Sequence, residues 1–128
     1  MAKFSDLEQE APELAQALRE RLDAHVHKTL ATLRKDGSPR ICGTETIFFD
    51  GDVWIGSMPR AMKARDLRRD PRYALHSGSD DPPGWKGDGK ISGRAEEITD
   101  PARHAEVLGS RTPGEADPED YDYSDSHV

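Results

Sequence analysis

Ser57 and Lys63 are the side chains of this chain best placed to do chemistry together. A short apolar run, Val53-Trp54-Ile55, ends in Gly56-Ser57. Met58-Pro59 breaks the run and a basic segment follows. Arg60, Lys63, Arg65, Arg68, Arg69 and Arg72 supply six of the chain's eighteen Lys and Arg residues. A strand that brings a hydroxyl to the start of a helix, with a lysine one turn in, suits a phosphate. Helix-start N–H groups and the helix dipole both favour an anion there. The net charge of the chain is −7, so this concentration of cations needs a reason.

Other residues with chemical potential carry weaker signals. By two-residue alternation Cys42 shares a strand face with Arg40 and Thr44. No histidine is spaced to activate it, so it reads as a small packed residue. His25 and His27 lie on one side of an extended segment, but no Cys or His cluster completes a metal site. Trp85 sits in a loop with two prolines and four glycines. It is either a loop anchor or a functional residue, as a lid or as a contact across a dimer.

These residues need elements to hold them. Leu14, Leu18 and Leu22 recur every four residues between charged neighbours, which predicts one amphipathic helix over about 6–24. Ser5 and Glu8 form a candidate capping box at its start; alternatively Pro12 marks the first helical turn. Lys28–Arg34 alternates as a strand. Lys35-Asp36-Gly37-Ser38 is a hairpin turn with Gly37 at positive φ. Pro39–Phe49 makes a second strand, Asp50-Gly51-Asp52 a turn, and Val53–Ser57 a third strand. The basic helix spans about 60–69. Tyr73–His76 and Lys90–Ile98 are the fourth and fifth strands, with the loop 77–89 between them. Thr99 or Asp100 before Pro101 caps a short helix over 101–109. Beyond Ser110 the chain is acidic and without periodicity, and disorder is expected.

Five strands with a helix after the third predict a mainly β, α+β domain. Its form is a small antiparallel split β-barrel with an N-terminal helix. The divisions are an N-terminal helix (1–27), a barrel domain (28–109) and an acidic tail (110–128). With 128 residues and 34% hydrophobic content, one domain with a thin core is the prior, and burial against a partner chain follows. A single cysteine fits a reducing cytoplasm. Net acidity argues against nucleic-acid binding. No run has the length of a membrane span and no apolar stretch follows the start Met, so no membrane role is expected.

The order of motifs also resembles a known family. It runs from a Leu-Ala-Thr-Leu strand through a Lys-Asp-Gly-Ser-Pro-Arg turn to a strand ending in Gly-Ser. A Lys six residues later, Leu67, Asp70-Pro71 and a late Gly-Arg-Ala strand complete it. This is similar to the pyridoxamine 5'-phosphate oxidase-like split-barrel flavin proteins, and within them to the actinobacterial flavin and deazaflavin oxidoreductases. The likeness covers about Lys28 to Val107. It implies a cofactor, FMN or coenzyme F-420, whose phosphate meets Ser57, Lys63 and Arg40. Backbone groups of Ile41, Cys42, Gly43 and Thr44 would line its ring. It also implies a homodimer and an oxidoreductase acting on a small molecule. Arg65, Arg68, Arg69 and Arg72 then read as solvent-facing, or as widening the positive field for the F-420 tail. His76 reads as a strand histidine, with haem ligation as the alternative.

Two departures qualify the resemblance. The oxidase proper has basic residues where Glu45 and Met62 stand, which implies a different reaction. The family closes its barrel with a strand after the short helix. Here Ser126-His127-Val128 would be only its opening residues, so a truncated or open barrel is expected. A non-catalytic flavin, deazaflavin or haem carrier, or an inactive family member, is the alternative function.

Overall fold

The computed structural model describes residues 2–58 and 60–110. The acidic tail and the suggested opening of a closing strand at Ser126-His127-Val128 lie outside the described residues, as does Pro59. Two helices, α1 (Phe4–Glu10) and α2 (Pro12–Asp23), precede the sheet strands β1 (Lys28–Leu33) and β2 (Pro39–Thr44). A hairpin of β3 (Thr46–Phe49) and β4 (Asp52–Ile55) leads to helix α3 (Met62–Arg69). Strands β5 (Arg72–His76) and β6 (Lys90–Arg94) and helix α4 (Pro101–Gly109) complete the chain order. One antiparallel sheet has the order β2-β1-β5-β6, and β3–β4 forms a separate two-stranded sheet. The fold is the α+β split barrel.

The N-terminal segment is two helices rather than one over 6–24. Ala11 leaves helical geometry (φ −144°, ψ 70°) and Pro12 starts α2 afresh. Proline favours this first-turn position because its missing N–H needs no partner there. The Ser5/Glu8 capping box does not form. Asp6 instead accepts from the Lys3 N–H at 2.7 Å. Ser5 is already helical, and its N–H donates to the Gly51 carbonyl at 2.8 Å. Phe4 is buried with its ring 4.9 Å from that of Phe48, so packing starts the helix earlier than the capping pattern suggested.

The predicted second strand, 39–49, divides at Glu45. Its inward row, Arg40, Cys42, Thr44, Thr46 and Phe48, keeps the two-residue period across the break. The register Leu30↔Cys42 binds the first half to β1, and Ile47↔Trp54 binds the second to β4. A strand that changes sheets makes a corner of this kind. The turns follow the residues that demanded them. Gly37 has φ 84°, and Asp50-Gly51 lie at φ 52° and 73°, the paired positive values of a tight hairpin.

The core is small. Leu22 of α2, Leu30 of β1 and Leu75 of β5 form its buried centre. Leu18, Cys42, Phe48, Ile55, Tyr73 and Ile91 pack around it. The α2 helix and the β3–β4 hairpin therefore share one face of the four-stranded sheet. The other face carries Thr29, Gly43, Ala74 and Ser92, all exposed, and Ile41 at 73% exposure. β6 ends at Arg94, four residues before the predicted Ile98, where its partner β5 begins (Arg72↔Arg94). Pro71 precedes that pair; its carbonyl still accepts from the Ala95 N–H at 2.8 Å, but it has no N–H to return the bond, and the ladder stops there. α4 starts at Pro101 with Asp100 accepting from the Ala102 N–H at 3.0 Å.

Candidate cofactor site

Three side chains on one face of α3, spaced i, i+3 and i+6, join this helix to the β1–β2 pair. Lys63 donates to the Gly43 carbonyl at 3.3 Å and to Thr44 Oγ1 at 3.4 Å. Asp66 is completely buried. Its Oδ2 accepts from Thr32 Oγ1 at 2.8 Å and from Arg40 Nε at 2.7 Å. Arg69 donates to Asp66 Oδ1 at 3.3 Å and to the Leu33 carbonyl at 3.1 Å. Helical spacing makes this seam, because residues three apart stand one above another on a helix.

The electrostatics divide the seam in two. Burial is the largest influence on Asp66 and works to raise its pKa. Hydrogen bonds from Arg40, Thr32 and Arg69 outweigh it, and the carboxyl titrates below its ordinary value. Lys63 is the opposite case. Burial lowers its pKa, and the nearby Cys42 and Glu45 offset this only in part. No carboxylate forms an ion pair with Lys63 among the described residues, and both its partners are neutral oxygens. A half-buried ammonium with neutral partners is under-compensated, and an anion would complete it.

Of the sequence-derived candidates, Arg40, Cys42, Gly43, Thr44 and Lys63 lie together along β2 and α3. Arg40 is reached through Asp66 and Lys63 through Gly43 and Thr44. Ile41 points to the opposite, open face of the sheet. Ser57 is exposed, and its hydroxyl donates to the Met58 carbonyl at 3.1 Å. It makes none of the contacts that tie Lys63 to β2. Cys42 is half-buried against the core with its Sγ 3.7 Å from the Leu30 carbonyl. Burial raises its pKa despite Lys63 and Arg40, so it remains a neutral thiol at pH 7.

The arginines account for much of the basic segment. Arg68 pairs with Glu97 at 2.8 Å and Arg72 with Asp70 at 2.7 Å. The Arg72 bonds hold the Asp70 carboxyl down at about 2. With Arg69 on Asp66, three of the four arginines read as solvent-facing are matched to carboxylates. The charges of Arg68 and Arg72 are balanced locally, whereas Arg69 shares Asp66 with Arg40, so that cluster keeps one net positive charge.

The loop candidates form a separate cluster on Asp88. This carboxylate accepts from Ser79 Oγ at 2.6 Å and from Trp85 Nε1 at 3.1 Å, and it pairs with His76 Nε2 at 3.6 Å. His76 Nδ1 lies 2.5 Å from the Ser77 carbonyl, so both ring nitrogens have protein partners. His25 lies 3.0 Å from Asp80 of the same loop. Trp85 is anchored through its N–H while the residue stays 53% exposed.

Sequence reasoning missed Asp66, Thr32 and Arg69. The visible sign was small: Asp66 is the sole acid within α3, three residues from both Lys63 and Arg69.

The sequence pattern of the family described as pyridoxamine 5'-phosphate oxidase matches residues 14–127. The chain belongs to this family. Solved structures of the same fold surround it. The conserved hypothetical protein Rv2991 from Mycobacterium tuberculosis is 27% identical, with a TM-score of 0.68 over 82% of this chain and 67% of its own. A heme binding protein from Mycobacterium smegmatis is 23% identical, with a TM-score of 0.63 over 78% of this chain and 44% of its own. An F-420 reductase is 23% identical, with a TM-score of 0.55 over 74% of each chain. The last two likenesses carry the fold alone. No curated protein matches the chain. Among the described residues of this family member, no helix is long and apolar enough to cross a membrane.

Proposed function

We propose that this pyridoxamine 5'-phosphate oxidase family protein binds a flavin or deazaflavin cofactor, FMN or coenzyme F-420, and acts as an oxidoreductase on a small molecule. The observation that carries the reading is Lys63, a half-buried cation with neutral partners in the first turn of α3, which starts at Met62 rather than near residue 60. Such a site fits a phosphate, and Arg40 stands one helical turn further along the same seam.

Each residue has a task in this reading. Lys63 and the terminal nitrogens of Arg40 hold the phosphate by charge-assisted hydrogen bonds. The Ser57 hydroxyl, released from Met58, adds a neutral donor. The β2 backbone from Ile41 to Thr44 presents a flat edge, and a Cβ on Gly43 would meet nothing within 4 Å, so the space beside it is open. The cofactor supplies the hydride chemistry, so no protein nucleophile or acid–base dyad is required. Cys42, a neutral thiol, packs and takes no part. The single cysteine suits a cytoplasmic setting. Mass spectrometry of ligand released from natively purified protein tests the reading. A flavin or deazaflavin phosphate supports it, and haem in its place overturns it.

The pKa of Lys63 gives a pH prediction. Below the free-protein pKa Lys63 is charged and affinity is full. Above it affinity falls, and this fall begins at a lower pH than the ordinary lysine value of 10.5 would set. Cys42 and Glu45 are the titratable groups acting on Lys63. Titrations with FMN between neutral and alkaline pH should show the fall in wild type and in Cys42→Ala. Lys63→Arg should remain flat over the same range, because arginine keeps its charge.

We further propose a homodimer in which the open sheet face is covered by a second copy. Ile41 on that face is 73% exposed, adjacent to the β2 backbone assigned to the ring. Sedimentation at micromolar concentration should give twice the chain mass, and Ile41→Glu should yield monomer with weakened cofactor binding. A wild-type monomer with full affinity would contradict the shared site.

A further inference from the structure

We propose that Asp66 is the positioning residue of the anion site: its buried carboxylate holds Arg40 by Nε, so that the two terminal nitrogens of Arg40 face the cofactor phosphate beside Lys63. This rests on the cofactor reading above.

The geometry favours an aligning role over a general packing one. Asp66 has no exposed surface. One oxygen, Oδ2, takes both Thr32 Oγ1 and Arg40 Nε, at 2.8 and 2.7 Å. Thr32 and Arg40 face each other across β1 and β2 (Thr32↔Arg40). The carboxylate therefore sits over one rung of the ladder and fixes both ends of it. An arginine held by Nε alone has its guanidinium plane fixed at one edge, with the N–H groups of both terminal nitrogens still to be used. Among the described residues no hydrogen bond or ion pair engages the terminal nitrogens of Arg40. They are left for a ligand. Lys63 on the preceding turn is aligned by the same helix. A displacement of α3 would move both cations, whereas a change at Asp66 Oδ2 acts on Arg40 and Thr32 and leaves Lys63 in place.

Removing the Asp66 charge while keeping its shape separates these roles. In Asp66→Asn the one side-chain oxygen still accepts from Thr32 Oγ1 and Arg40 Nε, but the ion pair that fixes Arg40 is lost, and the amide nitrogen no longer accepts from Arg69. Preorganised contacts lose much of their value when the group is free to wander. Affinity for the phosphorylated cofactor should drop about tenfold, while affinity for its phosphate-free counterpart stays unchanged.

The experiment titrates purified full chain with two pairs of probes, FMN against riboflavin and coenzyme F-420 against its phosphate-free chromophore. Wild type, Asp66→Asn, Arg40→Ala and the double variant are compared, with thermal unfolding of each recorded. The proposal expects Asp66→Asn to lower the phosphate preference in wild type and to leave it unchanged in the Arg40→Ala background. It also expects the double variant to melt higher than Arg40→Ala, because a buried carboxylate without its main partner is removed. Rescue of the phosphate preference by Asp66→Glu would further support charge-based alignment. Equal preference in wild type and Asp66→Asn, with both folded, overturns the role of Asp66 and leaves the cofactor reading standing. An additive loss in the double variant shows that Asp66 acts apart from Arg40 and also overturns it. Wild type that binds neither phosphorylated probe overturns the cofactor reading, and the positioning role with it.

Discussion

Replacing Lys63 by alanine is expected to weaken cofactor binding by roughly tenfold to hundredfold, the loss of one charge-assisted bond worth about 1.5–3 kcal/mol. The fold should be little disturbed. The bonds that Lys63 makes to Gly43 and Thr44 are long, at 3.3 and 3.4 Å, and its removal relieves a desolvated charge. Arg65→Ala is the control of equal charge change on the same helix, since Arg65 is exposed. Arg69 is unsuitable as a control because it braces Asp66 and the end of β1. Fluorescence titration should separate the two variants clearly. Equal affinity of Lys63→Ala and wild type would remove Lys63 from the site.

The second large effect concerns the core. Leu30→Ala should destabilise the protein by about 2–5 kcal/mol, from lost burial and the cavity left behind. Leu30 is fully buried between Leu22 and Leu75. Among the described residues the buried apolar set is only Phe4, Ala15, Leu22, Leu30, Leu75 and Val107. A small domain is stable by about 5–15 kcal/mol, so this single change removes a large share. Leu14 belongs to the leucine repeat of α2 together with the buried Leu22 but is itself 60% exposed, and Leu14→Ala should shift stability by about 0.5 kcal/mol or less. Urea unfolding of both variants measures the contrast. Similar losses for the two would mean that the leucine stripe is covered on both sides.

Local chemistry was readable where a single residue dictates the backbone. Gly37 at positive φ, Asp50-Gly51 in the second turn and Asp100-Pro101 at the start of α4 all stand where their residue types demanded. The alternation of β1 and β2 also fixed which side of the strand Arg40, Cys42 and Thr44 share. Longer-range features were less visible. The corner at Glu45 hides in an alternation that runs unbroken from Arg40 to Phe48, because the side-chain period continues while the hydrogen-bond partner changes. The separation of α1 from α2 was half visible: Pro12 as a first-turn residue marked the start of α2, but the leucine spacing suggested one helix and nothing marked the separate α1 from Phe4.

The site was legible only in part for a similar reason. Lys63 announces itself by its position after a strand and a break. Asp66 does not, because its meaning depends on Thr32 and Arg40, 34 and 26 residues away. The paired arginines show the same limit. Arg68 and Glu97 are 29 residues apart, so composition alone counts a surplus of charge that the fold has already balanced. The network around Asp66 therefore makes the basic helix a structural brace, and Lys63, half-buried with neutral partners, is the cation on which the functional reading rests.

The most direct test is the phosphate dependence of binding by the wild-type chain at neutral pH. Affinities are measured for FMN and riboflavin, and for coenzyme F-420 and its phosphate-free chromophore. The Lys63/Arg40 site predicts that in at least one pair the phosphorylated form binds more than about tenfold tighter, and that this preference shrinks as salt is added. If each phosphorylated probe binds no better than its phosphate-free counterpart, these residues do not hold a cofactor phosphate and the account is contradicted.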